Sequence, residues 1–146
     1  MIDLYTWQTP NGFKLSIMLE ELGWDYNVHE INIGADEQFD PAFLKLSPNN
    51  KIPALTDSEG PDGEPISLFE SGAILIYLAN KAGQFISADP RRHMEDIQWV
   101  MFQMANVGPM FGQTHHFRTK TEPEIAYARA RYLRETHRLY GVMNGR

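Results

Sequence analysis

No cysteine occurs anywhere in the 146 residues. A chain without thiols cannot close a disulfide framework, build a thiolate zinc site or an iron–sulfur cluster, or attack a substrate with its own sulfur. Any thiol chemistry it performs uses sulfur from another molecule. Long apolar runs are missing as well. None approaches the ~20 residues of a membrane-spanning helix, and Met1-Ile2-Asp3-Leu4-Tyr5 lacks the basic and apolar regions of a secretion signal. Basic charge is scarce: thirteen Lys and Arg against nineteen Asp and Glu leave a formal net charge of −6, with a pI near 5.3. That balance argues against the basic face of a nucleic-acid binder. The one basic stretch, Arg129, Arg131, Arg134 and Arg138, has the spacing of a solvated helix face. The expectation is a cytoplasmic protein with no membrane and no nucleic-acid partner.

What is present is ordinary globular material, 42% hydrophobic and 22% charged, with neither repeats nor low-complexity segments. Residues 2–5 form a short apolar run, a buried strand by pattern. It breaks at the turn chemistry of Thr9-Pro10-Asn11-Gly12. Residues 13–22 place Ile17, Met18, Leu19 and Leu22 at helical spacing, with Gly23 positioned as C-cap. Residues 26–34 alternate as a strand. Residues 41–46 make one or two helical turns, and 47–53 form a loop with two prolines. Residues 54–56 and 66–69 read as strands joined by a hairpin-type connection. Glu70-Ser71-Gly72 opens a strongly apolar helix over 73–79, with Gly83 near its end.

From Pro90 onward the pattern is helical, with Gly108-Pro109 predicted to kink or end one helix and Pro123 to open another. The division is therefore 1–83, a linker at 84–89, and an all-helical 90–146. The order β-α-β-α-β-β-α of the first half suits a thioredoxin-like mixed sheet, its first two strands parallel through a crossover helix and its last two a hairpin.

Several motifs now acquire a family. Ser47-Pro48-Asn49-Asn50-Lys51-Ile52-Pro53-Ala54-Leu55 resembles the loop before the cis-proline of the glutathione transferase superfamily. Leu68-Phe69-Glu70-Ser71-Gly72-Ala73-Ile74 resembles its glutathione-binding strand–helix junction. Thr9-Pro10-Asn11-Gly12-Phe13-Lys14 and Gly108-Pro109-Met110-Phe111-Gly112-Gln113 are similar to segments of the bacterial Nu-class, glutathione-dependent disulfide-bond oxidoreductases. The resemblance spans essentially the whole chain. It implies an α/β thioredoxin-like domain followed by an all-α domain that continues into further helices. The helical half is accordingly expected to be incomplete, exposing apolar surface near Trp99 and Tyr132. It also implies a homodimer, with glutathione as co-substrate and no metal.

The resemblance assigns residues as follows. A cis Ile52–Pro53 bond would turn the Ile52 backbone outward, to pair with the cysteinyl backbone of glutathione as an added strand would. By spacing alone Ser71 is a helix N-cap with an acidic neighbour. In the family such a serine, at a helix N-terminus, bonds the γ-glutamyl carboxylate while Glu70 pairs with its ammonium group. Gln38 and Lys51 are candidates for the glycine carboxylate. Arg131 matches the arginine of a Tyr-Ala-x-x-Arg-Tyr motif, with Arg129 and Arg134 as neighbours that could take its place.

Glutathione reacts as its thiolate, which the protein must stabilise. Thr9 and Asn11, just before the first helix, offer a hydroxyl and an amide for that purpose, and Asn11 is a glutathione contact as well. Tyr5 is a rival, because some transferase classes use a tyrosine near the end of the first strand. Ser16 is a weaker one, set deep in the helix pattern. The implied reaction is attack of bound glutathione thiolate on a disulfide, with a second glutathione resolving the product. Transfer of glutathione to an electrophile and a non-catalytic regulatory role are the alternatives. His115-His116 carries no metal assignment, since adjacent helical residues diverge by ~100°; His116 or Phe117 is expected near the site entrance instead.

Overall fold

Alternation along residues Ile2–Thr6 (β1) decides where the core lies. Ile2 and Leu4 are buried while Asp3 and Tyr5 face the other way. A computed structural model describes residues 1–146. After β1 come α1 (Pro10–Leu22), β2 (Tyr26–Glu30), α2 (Pro41–Leu46), β3 (Ala54–Asp57), β4 (Ile66–Phe69) and α3 (Ser71–Ala82). The strands form one sheet in the order β2-β1-β3-β4, with β1–β2 parallel and the other two pairs antiparallel. This is the mixed sheet expected from the element order.

One face buries Ile2, Leu4 and Leu55 under Leu15, Met18 and Leu19 of α1 and Ile74, Leu78 and Ala79 of α3. The other face takes α2, through the buried Phe43. Gly23 and Gly83 close α1 and α3 in the left-handed conformation, as their spacing requires. β2 is shorter than its sequence pattern: after Glu30 the chain turns through Ile33–Ala35 and Glu37–Phe39, each a single 3₁₀ turn. Asn32 ends the strand by using its own side chain to accept from Gly34 N at 3.0 Å.

A buried charge fastens the far end of the sheet. Asp57, 1% exposed, accepts from Tyr77 Oη at 2.7 Å and from Lys81 Nζ, both on α3. Burial alone would raise this carboxyl, but Lys81, Tyr77 and the Glu59 N–H together hold it below its ordinary value.

Two compact units result, Met1–Asp89 and Pro90–Arg146. The second contains α4 (Pro90–Phe102), α5 (Gly108–Phe117) and α6 (Ala126–Asn144). Gly108-Pro109, expected to kink or end a helix, stands where the regular α4 geometry is interrupted before α5. Gln103–Val107 form a π turn in which Gly108 N donates to Gln103 O, immediately before Pro109, which has no N–H to give. Thr114 and Thr136 hydroxyls bond at 2.8 Å across α5 and α6, above the fully buried Leu139. Trp99 and Tyr132 are themselves half-buried. The Arg146 guanidinium lies 4.4 Å over the Trp99 ring, and Phe117 stacks on Tyr132 at 5.6 Å. The exposed apolar surface expected near them is present on the same helices, at Met94 and Met101 on α4 and at Tyr127, Leu133, Tyr140, Val142 and Met143 on α6. No helix is long and apolar enough to cross a membrane.

Candidate functional site

Strand register gathers the sequence candidates of the first unit. Tyr5 on β1 pairs with Ala54 on β3, which pairs with Phe69 on β4. The segments just beyond these three residues therefore emerge at one end of the sheet: the turn to α1, the loop ending in Pro53, and Glu70-Ser71. β2 ends on the same edge, its Glu30 opposite Thr6, and leads to the turns that carry Gln38. Distant sequence segments thus meet through hydrogen-bond pairing.

Thr9 is the N-cap of α1, accepting from Gly12 N at 3.4 Å, and Pro10 occupies the first helical turn. This cap and a thiolate-stabilising role are compatible, because the cap uses the hydroxyl oxygen as acceptor and not its proton. Asn11 is exposed on the same turn. Gly12 is required here: a Cβ would lie 2.6 Å from the Trp7 carbonyl and strike the Thr6 hydroxyl. The turn can press on the end of β1 only because nothing projects from residue 12.

In the loop before β3, the Ile52–Pro53 bond is cis. Ser47, fully buried, donates to Lys51 O at 2.7 Å and accepts from Lys51 N at 3.3 Å. The sequence motif includes Ser47 but assigns it no role; the clamp follows only from the folded loop. The Lys51 side chain itself is exposed.

Ser71 is the first residue of α3 and not its cap. Glu70 takes the cap position without a side-chain capping bond. Its backbone sits at φ 72°, ψ 111°, a conformation that costs a residue bearing a Cβ about 1–3 kcal/mol. Ser71 is 4% exposed and accepts from Lys14 Nζ at 3.2 Å. Desolvation lowers the Lys14 pKa, against the opposing attraction of Glu70. Lys14 is a residue that sequence reasoning passed over.

Gln38 donates to Asp36 Oδ1 at 3.3 Å, and its own Oε1 is buried with no hydrogen-bond partner. The rivals have other engagements. The Tyr5 ring stacks on His29 at 4.6 Å, and His29 Nε2 is 2.8 Å from Asp3 Oδ1. Ser16 bonds the Gly12 and Phe13 carbonyls at 3.5 and 3.4 Å and lines an apolar cavity of about 210 Å³ with Leu4, Phe13 and Val28. In the second unit Arg131 is exposed on α6, Arg129 donates to Lys120 O, and His116 packs edge-on against Phe117. No three His, Asp or Glu residues stand together as a metal cage.

Residues 1–80 match the N-terminal domain of glutathione S-transferase. The disulfide-bond oxidoreductase YfcG of Escherichia coli is 51% identical over all of this chain and 68% of its own length. A glutathione transferase from Burkholderia graminis, solved with two glutathione molecules bound per subunit, is 52% identical with a TM-score of 0.95, over 99% of this chain and 61% of that one. Another from Pseudomonas putida, solved with one glutathione disulfide per subunit, is 50% identical with a TM-score of 0.93, over 97% of this chain and 63% of that one. The chain thus spans less than two thirds of the length of these solved relatives. With a family match over more than half its residues and this likeness over nearly all of them, the chain belongs to the glutathione S-transferase family.

Proposed function

We propose that the protein reduces disulfide bonds with glutathione, using bound glutathione thiolate as the nucleophile and no sulfur of its own. The observation that carries this reading is the row Tyr5–Ala54–Phe69, which delivers the Thr9–Asn11 turn, the cis-Pro53 loop and Glu70-Ser71 to one end of the sheet. Residues 1–83 act as the glutathione-binding domain. Ile52 offers backbone pairing, Glu70 and Ser71 take the γ-glutamyl ammonium and carboxylate, Gln38 and Lys51 serve the glycine end, and Arg131 of the helical unit adds a further contact. Thr9 and Asn11 donate to the sulfur and favour its anion.

In the first step the thiolate attacks one sulfur of the substrate disulfide. A sulfur–sulfur bond forms to glutathione, the original one breaks, and the other half leaves as a thiolate that takes a proton. A second glutathione thiolate then attacks the glutathione sulfur of the mixed disulfide and releases the remaining substrate thiol. Two glutathiones are oxidised to one glutathione disulfide, and the substrate gains two electrons and two protons. The protein contributes binding and orientation. The absence of cysteine and the relatives that hold two glutathiones or glutathione disulfide support this sequence of steps. The protein acts as a cytoplasmic homodimer.

The test is turnover of hydroxyethyl disulfide by the full chain with glutathione, followed through glutathione reductase and NADPH. Turnover that requires glutathione, together with thermal stabilisation by glutathione disulfide, supports the reading. Stabilisation without turnover points to a regulator. Conjugation of an electrophile without disulfide reduction points to conventional transfer.

A further inference from the structure

We propose that the cleft between α1 and the free edge of β2 docks an extended, basic polypeptide, and that the disulfides this protein reduces are carried on such chains. The proposal rests on the glutathione reading above and names its substrate class. Every feature it uses lies in the first unit.

β2 is an outer strand of the sheet. Ile31 N donates to Thr6 O on β1. Backbone groups alternate in direction along a strand, so Asn27 and His29 also point theirs at β1, while Tyr26, Val28 and Glu30 point theirs away from the sheet. That row of open donors and acceptors is what an added strand pairs with. The side chains of the same three residues lie on the α1 face, since Val28 stands opposite Leu4, which packs under α1. Tyr26 Oη donates to Glu20 Oε1 on α1 at 2.9 Å and bridges the two elements at one end of the cleft. Beyond it opens the cavity of about 210 Å³, walled by Leu4, Trp7, Phe13 and Val28. It exceeds the roughly 150 Å³ that holds a benzene ring, so it takes one aliphatic or aromatic side chain. Phe13 and Val28 are each at least half exposed there.

Charge selects the occupant. Residues 15–44 hold seven Asp and Glu and no Lys or Arg, although the whole chain carries a formal charge of only −6. All seven carboxylates are exposed. Glu20, Glu21, Asp25 and Glu30 sit on α1, β2 and the turn between them. A second copy of this face would be repelled, whereas a segment rich in Lys and Arg is drawn to it. The cleft also adjoins the reactive end of the sheet: Trp7 and Gln8 lead directly into Thr9, and Phe13 follows the Thr9–Asn11 turn. A strand laid on β2 thus brings a nearby cysteine toward the turn that serves the glutathione sulfur. There the bound glutathione thiolate attacks the glutathionyl sulfur of a glutathionylated cysteine. A new sulfur–sulfur bond forms, the cysteine leaves as a thiolate that takes a proton, and glutathione disulfide is released.

The experiment measures kcat/KM of the full chain for short peptides with a glutathionylated cysteine. A leucine is moved stepwise along the peptide, and either lysine or glutamate surrounds it. Hydroxyethyl disulfide is the reference substrate. Wild type should favour the lysine peptides by about tenfold or more at low salt, and one leucine position should stand out. The charge preference should largely vanish at about 1 M salt, where the Debye length falls to about 3 Å. Combined Glu20→Gln, Glu21→Gln, Asp25→Asn and Glu30→Gln should remove it as well. Val28→Pro takes away an outward N–H and none of the β1 ladder, and should abolish the leucine preference. Val28→Lys, at an exposed position, should do the same where proline disturbs the strand. Turnover of hydroxyethyl disulfide should persist in all of these variants. Wild type that reduces lysine and glutamate peptides alike, or reduces only hydroxyethyl disulfide, overturns the proposal and leaves the glutathione reading intact. So does a charge or leucine preference that survives these variants. No turnover of any disulfide overturns both.

Discussion

Glu70 should oppose stability to function, and replacing it separates the two. The residue holds φ 72° and ψ 111° at the head of α3, and its carbonyl still accepts from Ile74 N at 3.0 Å. Only glycine adopts such backbone without a Cβ penalty. Glu70→Gly therefore recovers about 1–3 kcal/mol of strain. Against this, glycine frees the unfolded chain by about 0.4–1 kcal/mol, and loss of a carboxylate at a helix N-terminus costs about 0.3–1 kcal/mol. Glu70→Gln suffers the charge loss but keeps the strain. The difference between the two variants cancels the charge effect, leaving Glu70→Gly more stable by about 1 kcal/mol. In a protein of this size that corresponds to a Tm higher by about 2–8 °C. Both variants should lose about tenfold in glutathione affinity, because neither can pair with the γ-glutamyl ammonium group. Thermal melts and calorimetry on the same samples decide the matter. A Glu70→Gly protein no more stable than Glu70→Gln refutes the strain argument. A Glu70→Gln protein that binds glutathione like wild type refutes the ammonium pairing.

Other positions give sharper single outcomes. Gly12→Ala forces a methyl group against the Trp7 carbonyl and the Thr6 hydroxyl. It should cost about 1–3 kcal/mol of stability in denaturant unfolding and lower kcat by displacing the Thr9–Asn11 turn. Asp57 has a carboxyl pKa held below its unfolded value, so its contribution is fully present above the ordinary carboxylate range and is lost as pH falls through the folded pKa. Unfolding midpoints should thus decline from about pH 5 downward, and Asp57→Asn should flatten that acid limb while lowering stability at neutral pH. Lys81→Met leaves Asp57 buried without its ammonium partner; chemical denaturation should show a loss of about 2–3 kcal/mol, less than for a fully buried pair because Lys81 is partly exposed. Leu139 is the one fully buried aliphatic side chain of the helical unit, and Leu139→Ala should destabilise that unit by about 2–4 kcal/mol, seen as amide-exchange protection lost from α5 and α6 before the sheet.

Local chemistry alone determined much of this molecule. Apolar spacing, Gly23 and Gly83 at helix ends, and prolines at helix starts marked out the elements, since capping and backbone freedom depend on a few neighbouring residues. The Ser-Pro-Asn-Asn-Lys-Ile-Pro and Phe-Glu-Ser-Gly motifs marked the segments of the candidate site, and the missing cysteine excluded a thiol of this chain as nucleophile. Tertiary structure decided what depends on distance in space. The sheet register brought Thr9, Pro53 and Glu70 to one edge, although some 60 residues separate the first from the last. Packing of α1 beside α3 set Lys14 against Ser71, and the collapse of the Pro48 loop turned Ser47 inward onto Lys51. Ser71 proved to be the first helical residue, with Glu70 as the strained cap, because the chain must reverse sharply between β4 and α3. At Gly108-Pro109 the sequence allowed a kink or an end, and the structure resolved the choice as a π turn between two helices. Sequence patterns encode each residue's own preference; which preferences must yield is settled only when the elements press against one another.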